Sequence, residues 1–414
     1  MASAIGVARQ AAAALLLVSA PRRGREAAEG FYLPPDPLPE GNPGALLRSE
    51  PVDAYLVPGV RLRARAWRVL YRSTSATGEP TAVSGVVLVP SGGLGMTGAR
   101  GQRVRPLVGY AIGTHGIGDG AAPSRLLTRG RDWEAGLMAM LLARGWAVAV
   151  TDYQGLGTPG DHTYMVGRAL GPNVLDAMRA ARALRPEELP ADGPAAIIGY
   201  SEGGAAAAWA AQLQPTYAPD VPLVGVAAGA AAADLEWATP NLDGSFFSFF
   251  IAYGGIGYAA AYPELDLDSH LTPLAREGIE GLRNSNVLQA MLSGPRFMRA
   301  SDLTQPNVLE QPDWRRRLRE NRLGRIAPAA PVLLHHAHRD QIVSFEHSIH
   351  LRDDWQGLGA DVRLYVTRGG VDHISGAFAG TPVAIDWLAR RFRRCFGVNS
   401  GDAVPTARAD RLAA

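Results

Sequence analysis

Residues 195–208 read Ala-Ala-Ile-Ile-Gly-Tyr-Ser-Glu-Gly-Gly followed by four alanines, an apolar run of strand character that passes directly into a helix-forming run. Between the two lies Gly199-Tyr200-Ser201-Glu202-Gly203, a G-x-S-x-G pattern. In that context the pattern marks a sharp, strained strand-to-helix turn that places a serine at the top of a sheet. The turn is so tight that side chains two before and two after the serine would strike neighbouring backbone, a need met by Gly199, Gly203 and Gly204. Ser201 is therefore the candidate nucleophile. The plainer alternative is a glycine-rich connection that carries an incidental serine.

Composition narrows the chemistry that such a serine can join. All 41 basic residues are arginine, and they face 39 acidic ones for a formal charge of +2. This balance gives no reason to expect a nucleic acid or an acidic surface as partner, and points to a small neutral substrate. The absence of lysine excludes a Schiff-base enzyme, a phosphate-binding loop of the G-x-x-x-x-G-K type and a Ser-Lys dyad. The single cysteine, Cys395, excludes an intrachain disulfide and a multi-cysteine zinc site, and is expected to serve as a small apolar residue. Hydrophobic residues make up 47% of the chain, ample for a core.

Near the start, residues 11–20 form a short apolar run after Arg9, too short to span a bilayer but suited to the core of a secretory signal. Val18-Ser19-Ala20 offers small residues for cleavage, although Pro21, Arg22, Arg23 and Arg25 follow. Secretion is expected, with a cytoplasmic extension as the alternative. Residues 30–58, rich in proline and glycine, are expected to lie as an extended arm without elements of their own. Residues 62–89 alternate as two strands about a turn at 77–80. From Arg105 onward, apolar strands at 106–112, 146–152, 195–199, 223–228, 332–336 and 362–366 alternate with helices at 133–144, 172–184, 202–214 and 383–396. Such runs, apolar on both faces, predict a mostly parallel sheet covered by two helix layers. With the serine turn, this is the pattern of an α/β-hydrolase fold.

One interval breaks the alternation. Residues 234–330 contain no strand candidate but do contain Phe246, Phe247, Phe249, Phe250 and Tyr253, and they read as a helical cap. The expected division is an N-terminal signal or disordered segment at 1–29, core at 30–234, cap at 235–330, core again at 331–396, and a flexible tail at 397–414. The clustered aromatics do not follow one helical stripe, so they are expected to line the substrate pocket; packing among cap helices is the alternative.

A serine hydroxyl needs an imidazole to take its proton and a carboxylate to hold that imidazole in the right tautomer. In this fold the chain order is Ser, Asp or Glu, then His. Asp340 follows the strand at 332–336, and His373 lies on a glycine-rich loop after the strand at 362–366. His335, His336 and His338 precede Asp340 and read as structural. Asp372 adjoins His373, where it is poorly placed to orient the ring, and reads as a loop residue. The oxyanion needs two backbone N–H donors. Glu202, after the nucleophile, supplies one; the other comes from His115 or Gly116, with the His115 ring packing at the pocket rim.

The serine turn, Thr151-Asp152-Tyr153-Gln154-Gly155-Leu156-Gly157, Ala122-Pro123-Ser124, Arg339-Asp340-Gln341-Ile342-Val343 and Asp372-His373 together resemble the secretory lipase family typified by yeast lipase A. The resemblance covers roughly residues 31–396. It implies an α/β-hydrolase core, a helical lid and hydrolysis of carboxylic esters including acylglycerols. It carries the triad onto Ser201, Asp340 and His373, and the oxyanion donors onto Glu202 and His115. Ala121 stands where many relatives have cysteine. The expected function is a serine ester hydrolase forming an acyl-serine on an apolar ester under the cap, without metal or cofactor. A small-molecule or lipid ester, with transient contact at a lipid interface, is the implied partner. An acyltransferase or peptidase on the same triad, or a non-catalytic hydrolase-like binding protein, are the rivals.

Overall fold

The computed structural model describes residues 30–92, 96–97 and 103–395. The apolar run at 11–20 and the tail at 397–414 lie outside them. Nine strands form the main sheet. They are β1 (Leu46–Val52), β2 (Ala64–Thr74), β3 (Pro80–Pro90), β4 (Leu107–Ala111), β5 (Ala147–Thr151), β6 (Ala195–Tyr200), β7 (Leu223–Gly229), β8 (Val332–His336) and β9 (Val362–Val366). Their spatial order is β1-β2-β3-β5-β4-β6-β7-β8-β9. The first three strands and the β3–β5 pair are antiparallel, and every pair from β5 to β9 is parallel. This is the α/β-hydrolase fold.

The central strands β4, β5 and β6 are buried along their whole length, which is why they read as unbroken apolar runs. On one side, α3 (Gly167–Leu184) and α4 (Glu202–Tyr217) pack so closely that a Cβ on Gly167 would fall 1.9 Å from the Trp209 ring. Elsewhere α2 (Ala135–Ala143) and the region just after it meet α11 (His373–Cys395), which follows α10 (Glu346–Gly357), through Trp146 against Phe392 and an Arg144–Asp386 ion pair.

Several sequence expectations need correction. The arm at 30–58 contains β1, an edge strand paired with β2 from Val52 back to Leu46, because its alternating residues Leu46, Arg48 and Glu50 suit a half-exposed edge despite the prolines around them. The last helix starts at His373 rather than 383; Pro382 lies inside it and does not end it. Cys395 is exposed at the end of that helix instead of filling a core position.

Between β7 and β8 the chain leaves the sheet. Its main helices are α5 (Leu235–Leu242), α6 (Phe249–Ala261), α7 (Pro273–Arg283), α8 (Val287–Ser293) and α9 (Pro312–Glu320). They bury a second apolar cluster that includes Phe249, Tyr253, Tyr258 and Trp314 and takes in Ile117, Tyr164 and Val166 from outside the interval. The amphipathic α7 illustrates why: Ala275, Ile279 and Leu282 form its buried stripe, and Thr272 caps its first turn.

Candidate active site

The turn between β6 and α4 holds Ser201 at φ 62°, ψ −122°, a conformation that costs a non-glycine residue of order 1–3 kcal/mol. The surroundings enforce it. A Cβ on Gly203 would sit 2.0 Å from the Ala111 carbonyl oxygen, and one on Gly204 would sit 1.9 Å from that of Gly229. The turn is thus wedged between the ends of β4 and β7, and the Ser201 amide donates to Gly229 O at 2.9 Å.

His373 stands at the first turn of α11, with Nε2 2.8 Å from Ser201 Oγ and Nδ1 2.6 Å from Asp340 Oδ2. A carboxylate can only accept, so Nδ1 carries the hydrogen and Nε2 offers its lone pair to the serine hydroxyl. The backbone of His373 is fixed as well. Its N–H donates to Gln341 Oε1 at 3.0 Å, and its carbonyl accepts from Tyr200 Oη at 2.9 Å. Asp340 itself is held by the Ile342 and Val343 amides, both donating to Oδ1 at 2.9 Å. Burial works to raise the Asp340 carboxyl, but hydrogen bonds from His336 and His373 and their charge hold it well below the usual carboxylate range. It stays ionised at any pH near neutrality.

Asp372 turns away from this relay. Its Oδ1 accepts the Ser375 amide at 2.8 Å, as a cap on the start of α11.

The three earlier histidines differ in their surroundings. His335 is fully buried in β8 with neither ring nitrogen bonded, and burial lowers it to about 3. His338 lies against Phe345. His336 does more than was expected of it: Nε2 lies 3.2 Å from Asp340 Oδ2 and 2.9 Å from Val343 O, while Nδ1 meets Ser348 Oγ at 2.8 Å. It braces the acid loop. Its position four residues before Asp340 was the signal available in the sequence.

The loop after β4 lies directly against the serine turn: a Cβ on Gly113 would come within 3.3 Å of Tyr200 O. His115 is on this loop, and Glu202 is the first residue of α4, whose opening amides have no acceptor within the helix. The His115 ring is not at the pocket rim. It is buried, with Nδ1 2.8 Å from Gly113 O, Nε2 3.3 Å from Asp132 Oδ1, and its face stacked on Trp133. Burial works against its charge, but Asp132 and Glu134 raise it to about 9. Burial pushes Glu134 up to about 7.

The two loop motifs also meet. Asp152 accepts from the Ser124 amide at 2.8 Å, from Ser124 Oγ and, at 2.7 Å, from Ser84 Oγ. This carboxylate caps α1 (Pro123–Arg129) and ties it to β3, which explains why an Asp and an Ala-Pro-Ser segment occur together.

A cavity of about 100 Å³ opens beside Ser201, bounded by Glu202, Phe250, Tyr258, Trp314, Leu318 and Val343. Of the five aromatics expected to line it, Phe250 does. Phe249 and Tyr253 are fully buried in the cap, with Tyr253 Oη 2.7 Å from Ser285 Oγ. Phe247 packs against the cap core, and Phe246 stacks edge-on with Phe247 and Phe297. The consecutive pairs divide because Phe247 and Phe246 precede α6 in a turn, where helical spacing does not apply. A larger apolar cavity of about 780 Å³ lies within the cap, and Ile251, Gly255 and Val308 line both. Among the described residues no cluster of His, Cys, Asp or Glu is arranged to hold a metal ion.

A sheet of this topology, with a hydrogen-bonded Ser-His-Asp relay at the carboxyl ends of its strands, marks a carboxylic-ester hydrolase of the α/β-hydrolase class. Residues 121–399, about two thirds of the chain, match the model for secretory lipases, and the chain belongs to that family. Among curated relatives, a probable inactive lipase of Mycobacterium tuberculosis is 28% identical over 87% of this chain and 81% of that protein. A secreted triacylglycerol lipase of Malassezia globosa is 28% identical over 81% of this chain and 74% of that one. Among solved structures, Candida antarctica lipase A in its closed state superposes with a TM-score of 0.78 at 21% identity, covering 89% of this chain and 86% of the other. A mutant of the rice cell wall degrading esterase of Xanthomonas oryzae gives 0.70 at 22%, covering 85% and 100%.

Proposed function

We propose that this protein hydrolyses esters of apolar acyl groups, acylglycerols included, through an acyl-serine intermediate on Ser201. The observation that carries the reading is the continuous contact from Ser201 Oγ to His373 Nε2 and from His373 Nδ1 to Asp340, at 2.8 and 2.6 Å. As Oγ attacks the ester carbonyl, His373 Nε2 takes its proton, and Asp340 supports the imidazolium that forms. The negative charge on the former carbonyl oxygen is received by the amides of Glu202 and His115. On collapse the C–O bond to the alcohol breaks, and His373 returns the proton to that oxygen. Water then repeats the sequence on the acyl-serine and releases the acid.

The apolar wall around Ser201 supports the choice of acyl group. The family's secretory name and the expected signal at 11–20 support export. No helix among the described residues is long and apolar enough to cross a membrane.

The Mycobacterium relative, named as inactive, makes a non-catalytic protein the second reading. A fluorophosphonate probe separates the two. The expected result is a single adduct on the Ser201 peptide, together with turnover of p-nitrophenyl esters that Ser201→Ala abolishes. An unlabelled, folded protein would reject the mechanism. Product analysis with an added alcohol then distinguishes hydrolysis from acyl transfer.

A further inference from the structure

A second acid–histidine pair lies immediately behind the nucleophile, and the mechanism above does not use it. Glu202 Oε1 is 2.8 Å from His162 Nε2, with the side chains 2% and 1% exposed. The other ring nitrogen, Nδ1, lies 3.2 Å from the carbonyl oxygen of Gln154. A carbonyl only accepts, so Nδ1 must carry hydrogen. Nε2 and the Glu202 carboxyl then have one proton between them. Whether it rests on nitrogen or oxygen, the pair has no net charge.

The loop that supplies His162 is built for this contact. Gly155 adopts φ +75°, and a Cβ there would lie 2.0 Å from Asp161 O, so the chain doubles back on itself. Gln154 O accepts the Thr163 amide at 3.1 Å as well as the ring. Tyr153 stacks on the imidazole at 5.7 Å and Tyr164 meets its edge at 5.9 Å. Among the described residues, His162 is the only hydrogen-bonding partner of the Glu202 side chain.

We propose that His162 is a positioning residue that neutralises Glu202, so that no net negative charge stands beside the forming oxyanion. The inference rests on the acyl-serine reading, in which the Glu202 amide is one of the two oxyanion donors. The carboxylate oxygens of a glutamate can reach no further than about 6 Å from its own amide nitrogen, five bonds away. In a site shielded from water, a bare carboxylate at that range opposes the charge the amide is there to receive. The helix N-terminus tolerates the acid, and the histidine removes its cost to the transition state.

The test is a cycle of two substitutions read with a soluble short-chain ester. His162→Gln leaves an N–H donor but no proton to share, and is expected to lower kcat by about tenfold or more with KM little changed. Adding Glu202→Gln to it removes the stranded charge and is expected to recover most of the loss. Unchanged kcat in His162→Gln, or a double variant no better than the single, overturns the proposal, because a packing role gives no rescue by a charge change. Should His162→Gln fail to fold, Glu202→Gln and Glu202→Asp decide the matter. The aspartate keeps the charge but draws it off His162, so it must be the slower of the two; the reverse order overturns the proposal. Activity that survived Ser201→Ala would instead remove the acyl-serine mechanism itself, an outcome the cycle does not resemble.

Discussion

Ser201 makes its hydrogen bond to His373 from a strained backbone conformation that a neighbouring carbonyl on β7 holds in place. Ser201→Ala removes the hydroxyl and adds no bulk, so the fold should persist while turnover falls by on the order of a million-fold. A purified variant that kept a tenth of the activity (~10%, far above that residual scale) would exclude Ser201. Asp340→Asn should lower kcat by about ten-thousand-fold, since the amide favours the wrong tautomer of His373. Asp372→Asn should cost only the capping of α11, ~1 kcal/mol or less, with kcat nearly intact; the opposite ranking would reassign the acid. At this scale the order Ser201, Asp340, His373 was legible because each residue comes shortly after a recognisable strand. The braces were not. His162 meets Glu202 from 40 residues away, a contact that no local pattern signals, and the four-residue spacing of His336 from Asp340 does not by itself set it apart from an ordinary core histidine.

Among the elements, α6 carries the clearest division of labour. Phe249 is fully buried in the cap cluster, whereas its neighbour Phe250 lines the small cavity beside Ser201. Phe249→Ala should therefore cost about 3–5 kcal/mol of stability and leave acyl preference unchanged. Phe250→Ala should reduce kcat/KM for long acyl esters several-fold more than for acetate esters, since apolar contact contributes roughly 25 cal/mol per Å². Equal losses on both esters with a lower melting temperature would place Phe250 in cap packing alone. The cap was legible as an interval without strands, and the central strands as runs apolar on both faces. β1 was not, because an edge strand that buries no residue fully and carries Arg48, Glu50 and Pro51 lacks the unbroken apolar signal of a central one. The start of α11 was hidden by Gly369-Gly370 and by Pro382, which suggest a loop where tertiary contacts with Tyr200 and Gln341 impose a helix.

For the molecule as a whole, buried histidines should shape stability against pH from both sides. Burial lowers His335 to about 3 and His347 to about 4. Below about 6.5 the unfolded chain binds protons there that the folded chain refuses, so stability falls on acidification towards pH 3–4. His115 runs the other way. Raised to about 9, it holds a proton in the folded state that the unfolded chain loses from about 6.5 upward, so its contribution disappears as pH rises through 9. Melting temperatures from pH 4 to 10 should decline at both ends. His335→Leu, which sacrifices no hydrogen bond, should flatten the acid limb, and Asp132→Asn the alkaline one. Limbs unaltered by these substitutions would assign the pH response to other groups.

The wall shared by the two cavities bears on how activity varies along a homologous series. The cavity of about 100 Å³ beside Ser201 is well under the ~300 Å³ at the small end of ligand sites. The larger cavity of about 780 Å³ adjoins it and shares Ile251, Gly255 and Val308 with it as lining. Acyl groups short enough for the first compartment are expected to fit as it stands, and longer ones to displace the shared wall, which Ile251 and Gly255 of α6 help to form. Plotted against carbon number, the rate should show a threshold in place of a steady slope. A covalent staple between cap and core should silence only the substrates above that threshold.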